Sequence, residues 1–248
     1  MTTDLMPAAF IGHGTPMNAL ESNRYTNLWR EFGAALPRPR AILAISAHWF
    51  INASAVTVME RPRTIHDFFG FGEDLFSFRY PAPGSPELAR EVIDCVAPIW
   101  VGEDVDSWGL DHGTWSVLTH LFPKADIPVV QLSINSAAPF DYHLRVGAAL
   151  APLRERGVLI VASGNVVHNL GILDWNSPDS GYDWARSFDS EAERILTTDP
   201  SSMPSLLAHE AWDLAVPTPD HFLPVLYLAG LAAAAGKACE TLVSAYAL

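Results

Sequence analysis

Ala41-Ile-Leu-Ala-Ile-Ser-Ala47 is a run of seven uncharged residues, apolar at both alternating sets of positions apart from Ser46, and followed directly by His48. Successive side chains of a strand point to opposite faces, so a run that is apolar at both parities is one covered on both sides. Similar runs lie at 8–11, 127–134 and 158–162, with shorter β-rich segments at 56–59 and 241–246. Helical patterns separate them. Residues 23–36 form one, and 86–96 follow Ser85 as N-cap with Pro86 at the first helical position. Residues 140–156 carry Leu144, Ala148, Leu150 and Leu153 and stop at Gly157, while 184–196 and 222–235 complete the set. This alternation predicts an α/β fold: a three-layer α/β/α domain with a mixed, largely parallel central sheet. No repeat, low-complexity segment or Gly/Ser linker divides the chain, so residues 1–248 read as a single catalytic-sized domain.

The 248 residues are 49% hydrophobic and 17% charged, enough for a core that needs no staples. Cys95 and Cys239 make no disulfide framework and no C-x-x-C pair exists. The net charge of −13 disfavours nucleic acid and anionic membranes as partners. The start lacks the basic and apolar regions of a secretory leader. The longest apolar stretch, 222–236, is too short for a spanning helix and is broken by Pro224 and Gly230. A soluble, cytoplasmic protein is expected.

Nine histidines carry the functional signal. His13 follows the first strand inside Gly12-His13-Gly14, His48 ends the run quoted above, and His168 lies just beyond the strand at 158–162. Three histidines therefore follow three strands at their C-terminal ends, the edge where open α/β sheets gather ligands. Neutral imidazole is the commonest metal ligand, and a cluster on one edge is most simply explained by a divalent metal. His221 sits behind Thr218 and Pro219, which read as N-cap and first helical residue and place it in a helix's first turn, either facing the cleft at the sheet edge or as a surface histidine beside a cap. His112 lies between Trp108 and Trp115, where it can donate to a bound oxygen, stack on a planar substrate or pack in a turn. The segment 61–83, crowded with phenylalanine, glycine and proline, reads either as a functional loop, with His66 or Phe68 at the pocket wall, or as a loop whose aromatics cap the core. His120, His143 and His209 fall in helical patterns and read as structural. The nucleophile elbow, the phosphate-binding loop, the dinucleotide fingerprint and the H-E-x-x-H helix are missing.

Six motifs then stand out together. Phe10-Ile-Gly-His-Gly-Thr-Pro-Met-Asn18, Ser46-Ala-His-Trp-Phe50, Pro81-Ala-Pro-Gly84, Gly109-Leu-Asp-His-Gly113, Gly164-Asn-Val-Val-His-Asn169 and Thr218-Pro-Asp-His-Phe-Leu-Pro224 resemble the 4,5-DOPA extradiol dioxygenase family. This is the small, single-domain branch of the class III extradiol ring-cleavage dioxygenases. The resemblance implies a mononuclear divalent metal with His13, His48, His168 and His221 around it, and a catechol and O2 as the reacting partners. It further implies His168 as the group for proton transfer at the substrate oxygen and His112 as a donor to oxygen or substrate. The wider class uses two histidines and a glutamate on iron. No glutamate occupies the His221 motif here, and Asp220 is the nearest carboxylate. An all-nitrogen set suits Zn(II), whereas ring cleavage with oxygen needs open positions on Fe(II). Two other classes compete: a zinc-dependent hydrolase on a similar scaffold, and a non-enzymatic metal-binding domain.

Overall fold

The uncharged runs become strands, and the computed structural model describes residues 5–173 and 180–246. Residues 1–4, part of the stretch read for a leader, lie outside the described residues. The strands are β1 (Ala8–Gly12), β2 (Ala41–Ile51), β3 (Ala55–Thr57), β4 (Gly102–Asp104), β5 (Val129–Asn135) and β6 (Val158–Gly164). The helices are α1 (Arg24–Ala35), α2 (Glu73–Ser77), α3 (Pro86–Val96), α4 (His112–Leu121), α5 (Phe140–Ala149), α6 (Ala151–Glu155), α7 (Asp183–Thr198), α8 (Trp212–Ala215) and α9 (Leu223–Ala234). Among the described residues the strands form one sheet in the order β1-β6-β2-β5-β3-β4. All neighbours run parallel except β3 and β5, which meet antiparallel at Val56 and Leu132. The sheet is mixed and largely parallel, as the alternation of runs predicts.

Both parities of the central strands are buried, and each parity serves a different core. Leu43, Ile45, Ile160, Val130 and Leu132 pack with α3, α5, α7 and α9 on one side. Ile42, Ala44, Leu159, Val161 and Val129 pack with Trp29 of α1, Leu75 of α2 and Trp115 and Leu118 of α4 on the other. Period-2 alternation thus divides one hydrophobic strand between two helical layers. Local chemistry sets the helix starts. The Asn23 side chain accepts from the backbone N–H groups of Tyr25 and Thr26, and Thr26 Oγ1 accepts from Asn23 N at 2.9 Å. Ser85 Oγ accepts from Leu88 N at 3.1 Å in front of Pro86.

Several elements differ from the sequence reading. The pattern at 140–156 is two helices, because Pro152 lies in the first turn of α6 and cannot donate to a continuous ladder. Residues 241–246 are not a strand. Leu242 and Val243 are exposed, and the segment is tied down by side chains of two helices. Tyr25 Oη donates to Tyr246 O at 2.7 Å and Ser244 Oγ donates to Asp189 Oδ2 at 3.1 Å. β-propensity measures fit to a pleated, half-buried surface, and these contacts replace that surface with helix side chains. β4 is an edge strand of three residues, Gly102-Glu-Asp104, with no apolar alternation to announce it. The loop at 61–83 contains the short helix α2 and is anchored by a bridge between Thr64 and Leu110. Among the described residues no helix is long and apolar enough to cross a membrane.

Candidate metal centre

Parallel pairing brings three strand ends level. Ser163 of β6 is in register with Ile11 of β1 on one side and Ser46 of β2 on the other. His13 follows β1 through a turn in which Gly14 has φ +60°, and Asn18 Nδ2 donates to His13 O at 2.9 Å. His48 lies within β2 rather than at its end. The β2–β5 register shifts between Ile45 and Phe50, so the ring emerges at an irregularity of the kind that re-aims side chains beside active sites. His112 is the first residue of α4, not part of a turn, and the helix is capped by Asp111, whose Oδ1 accepts from Thr114 N at 3.1 Å. His168 follows β6, its backbone N–H donating to Ala215 O at 2.9 Å. His221 occupies a turn ahead of α9, two residues before the helix starts, because Phe222 and Leu223 both donate to Pro219 O.

That turn packs directly on the end of β6. Asn165 N donates to His221 O at 2.9 Å, and a Cβ on Gly164 would lie 2.2 Å from the same oxygen. Gly164→Ala is expected to destabilise the fold by about 1–3 kcal/mol and to displace His221. Thermal unfolding and metal titration of the variant check both effects.

The rings form a continuous cluster. Centroids of His13, His48 and His221 are 5.0, 5.3 and 5.0 Å apart. His112 lies 3.8 Å from His48 and 5.4 Å from His13. His168 stacks on His221 at 3.5 Å and 10°. Nitrogens of His13, His48 and His112 all lie within 4.8 Å of one another, as do the donor atoms of His168, Asp220 and His221. Every histidine singled out by the strand ends and by the six motifs is therefore at one end of the sheet.

Hydrogen bonds determine which nitrogen is free. Ser163 Oγ donates to Gly113 O at 2.6 Å, which uses its only hydrogen, so at 2.8 Å it accepts from His13 Nδ1–H. His112 Nδ1 donates to Asp67 Oδ1 at 3.0 Å, and His48 Nδ1 lies 2.9 Å from Asp67 Oδ2. Asp220 Oδ2 accepts a hydrogen bond from His221 Nδ1–H. Carboxylates only accept, so His112 and His221 carry hydrogen at Nδ1 and keep a lone pair at Nε2, and the ion-pair contact with Asp67 favours the same tautomer at His48, although Oδ2 makes no aligned hydrogen bond. His13 Nε2 and His48 Nε2 then face each other 3.0 Å apart. Two lone pairs at that distance repel unless a proton or a metal ion lies between them. Two nitrogens bonded to one tetrahedral ion at about 2.0–2.1 Å stand about 3.3 Å apart. The same geometry puts the ring centroids about 5 Å apart, as found for His13, His48 and His221. The residues fit a metal ion, and each ring has the outer partner that fixes a ligating histidine.

Burial favours the neutral imidazole at three of these histidines. Burial, followed by the neighbouring His48 and His221, holds His13 well below its ordinary 6.5. Burial and His221 push His168 down to about 4, and burial lowers His221 despite Asp220. His48 is the exception: burial lowers it, but Asp67 and the nearby Asp111 raise it above 6.5 overall. Burial pushes the Asp67 carboxyl up, yet His112 and His48 outweigh that and hold it well below the usual carboxylate range. Unfolded, His13, His168 and His221 take up protons near 6.5, whereas folded they resist until lower pH. The unfolded state then binds more protons, so stability is complete above pH 6.5 and falls as the pH drops towards 4, with His48 opposing in part. Metal-free protein is expected to melt at a lower temperature at pH 5 than at pH 7.5. An unchanged or higher melting temperature at pH 5 would contradict these neutral sites.

The loop at 61–83 borders the cluster through Asp67 and Phe68, the latter 5.6 Å edge-on from His112. His66 packs instead against Phe68, Phe76 and Trp115, with Nε2 donating to Phe78 O at 3.0 Å. His120 lies in α4 and His143 in α5, both buried, while His209 falls just past a short 3-10 helix rather than within a helix. Asp67 is the site residue that sequence reasoning missed. It sits in an irregular aromatic segment with no periodicity, and only its contacts reveal it.

Residues 7–248 match the family model described as the catalytic LigB subunit of aromatic ring-opening dioxygenase. The chain belongs to this family and is an aromatic ring-cleaving dioxygenase, which sets aside the zinc hydrolase and the non-enzymatic domain. It is 49% identical over 234 residues to the 4,5-DOPA dioxygenase extradiol of Escherichia coli (strain K12), spanning 93% of this chain and 86% of that protein. It is 41% identical over 238 residues to the protein of the same name from Beta vulgaris, spanning 92% and 88%. A crystal structure of an uncharacterized protein from Escherichia coli K12 superimposes with a TM-score of 0.80 at 46% identity, covering 91% of this chain and 88% of that one.

Proposed function

We propose that the chain, as a single catalytic domain over residues 1–248, opens the ring of a DOPA-type catechol beside the diol, using O2 and one divalent ion held by His13, His48 and His221. The observation that carries this reading is the near-equilateral triangle of these three rings, with Nδ1 hydrogen-bonded to Ser163 at His13 and to Asp220 at His221, and in ion-pair contact with Asp67 at His48. The DOPA-type substrate rests on the names of the relatives. Of the four histidines that the resemblance implies around the metal, His168 stands apart. Its face-to-face stacking on His221 is closer than two tetrahedral ligands stand, which favours proton transfer over ligation. By the same spacing, His112 is a neighbour of His48 rather than a co-ligand. A divalent metal bound there lowers the pKa of the catechol hydroxyls and, as Fe(II) with open positions, conveys electron density to O2.

The protein's own groups do the remaining work. His168, pushed down to about 4 by burial, is neutral at pH 7 and can accept a proton from a substrate hydroxyl. His112 donates a hydrogen bond from Nδ1 to Asp67, which leaves Nε2 to exchange a proton with oxygen or substrate. Phe68, Phe76, Phe78 and Trp115 form a stack of aromatic contacts beside His112 that suits a planar ring and limits water. A chain charged at −13 suits a small-molecule substrate better than nucleic acid. Turnover of DOPA under labelled dioxygen tests the reaction. Both labelled atoms are expected in one ring-opened product, whereas label in water alone, or an intact ring, would refute it.

A further inference from the structure

Asp67 belongs to no strand or helix, yet it is fixed from both sides. Before it, Ile65 N donates to Leu110 O at 2.7 Å and Trp115 Nε1 donates to Ile65 O at 2.8 Å. After it, Phe68 packs on Phe71, Phe76, His112 and Trp115. Its side chain is 13% exposed. Its two oxygens are divided between two rings from different elements. Oδ1 accepts from both the backbone N–H and Nδ1 of His112, each at 3.0 Å, while Oδ2 lies 2.9 Å from His48 Nδ1. A carboxylate so placed fixes the tautomer and orientation of His112 by hydrogen bonds and holds His48 by an ion-pair contact, its Oδ2 making no aligned hydrogen bond.

We propose that Asp67 is a positioning residue that clips His48 to His112 and so ties the aromatic loop at 61–83 to the metal centre. This rests on the reading of His13, His48 and His221 as metal ligands. The clip has two separable consequences. Through His48 it sets metal affinity, because the orienting partner of a ligating histidine contributes about 10–100-fold in affinity or activity. Through His112 it sets the rate of the proton exchange that His112 performs. Loss of Asp67 therefore weakens metal binding even when His112 is gone, but slows saturated turnover only while His112 is present.

A double-mutant cycle tests this. Wild type, Asp67→Asn, His112→Ala and the double variant are compared for Zn(II) affinity, by competition with a chromophoric chelator, and for kcat with saturating Fe(II) and catechol. Asp67→Asn is isosteric and is expected to bind Zn(II) about 10–100-fold more weakly in both backgrounds. Its effect on kcat is expected to vanish in the His112→Ala background, a dependence that a merely structural loop residue would not show. Zn(II) affinity unchanged by Asp67→Asn, or kcat losses that multiply in full, would overturn the clip. Should Asp67→Asn fail to fold, nitrogen-15 spectra of zinc-loaded wild type decide instead. His48 and His112 must both carry hydrogen at Nδ1, and hydrogen at Nε2 of either would refute the proposal. His13→Ala serves as control for the underlying reading: if it binds Zn(II) like wild type, the metal site itself is misassigned, independently of Asp67.

Discussion

His13→Ala is expected to purify almost free of metal and to show no catechol-dependent oxygen uptake above background. His13 is 1% exposed, and its ring stands 5.0 Å from His48 and 5.3 Å from His221. Removing it deletes one corner of the triangle and leaves Ser163 Oγ without the donor it accepts from. Outer partners of metal-bound histidines contribute about 10–100-fold in affinity, and loss of a direct ligand should exceed that range. Metal analysis of the purified variant, beside wild type prepared identically, measures the effect. Full metal content with normal turnover would remove His13 from the site.

The second large effect separates His112 from the ligands. His112→Ala is expected to keep its metal and bind catechol but to turn over about 10²–10⁴-fold more slowly, the usual contribution of a positioned acid or base. The ring spacing motivates this. His112 lies 3.8 Å from His48, too close for both rings to be tetrahedral partners of one ion, while its proximity to His13 keeps it beside the reacting groups. Metal stoichiometry, catechol titration and oxygen uptake on one preparation give the answer. If His112→Ala loses metal as completely as His13→Ala while still folded, the spacing argument fails.

The sheet was legible because its central strands are apolar at both parities, and Ile42 and Leu43 do fall into opposite cores. The edges were less so. β4 is too short and polar to register, and residues 241–246 look strand-like but meet side chains of α1 and α7. The start of α9 was misplaced because Thr218 and Pro219 resemble a cap, whereas the turn they form carries His221 ahead of the helix. Histidines at strand ends could be found from sequence, since parallel strands align their C-terminal ends. Asp67 could not. It lies 19 positions (67 − 48) from His48 and 45 positions (112 − 67) from His112, in a loop without period, and only folding joins the three.

The central claim is that one divalent ion on these histidines supports ring opening by O2. The direct measurement is anaerobic titration of metal-free protein with Fe(II), followed by catechol-dependent oxygen uptake at each point. Activity is expected to rise linearly and to reach a plateau at one iron per chain, with one O2 consumed per ring opened and with no recovery on Zn(II). Uptake by metal-free protein, a plateau at two ions per chain, or catechol turnover without oxygen consumption would contradict it.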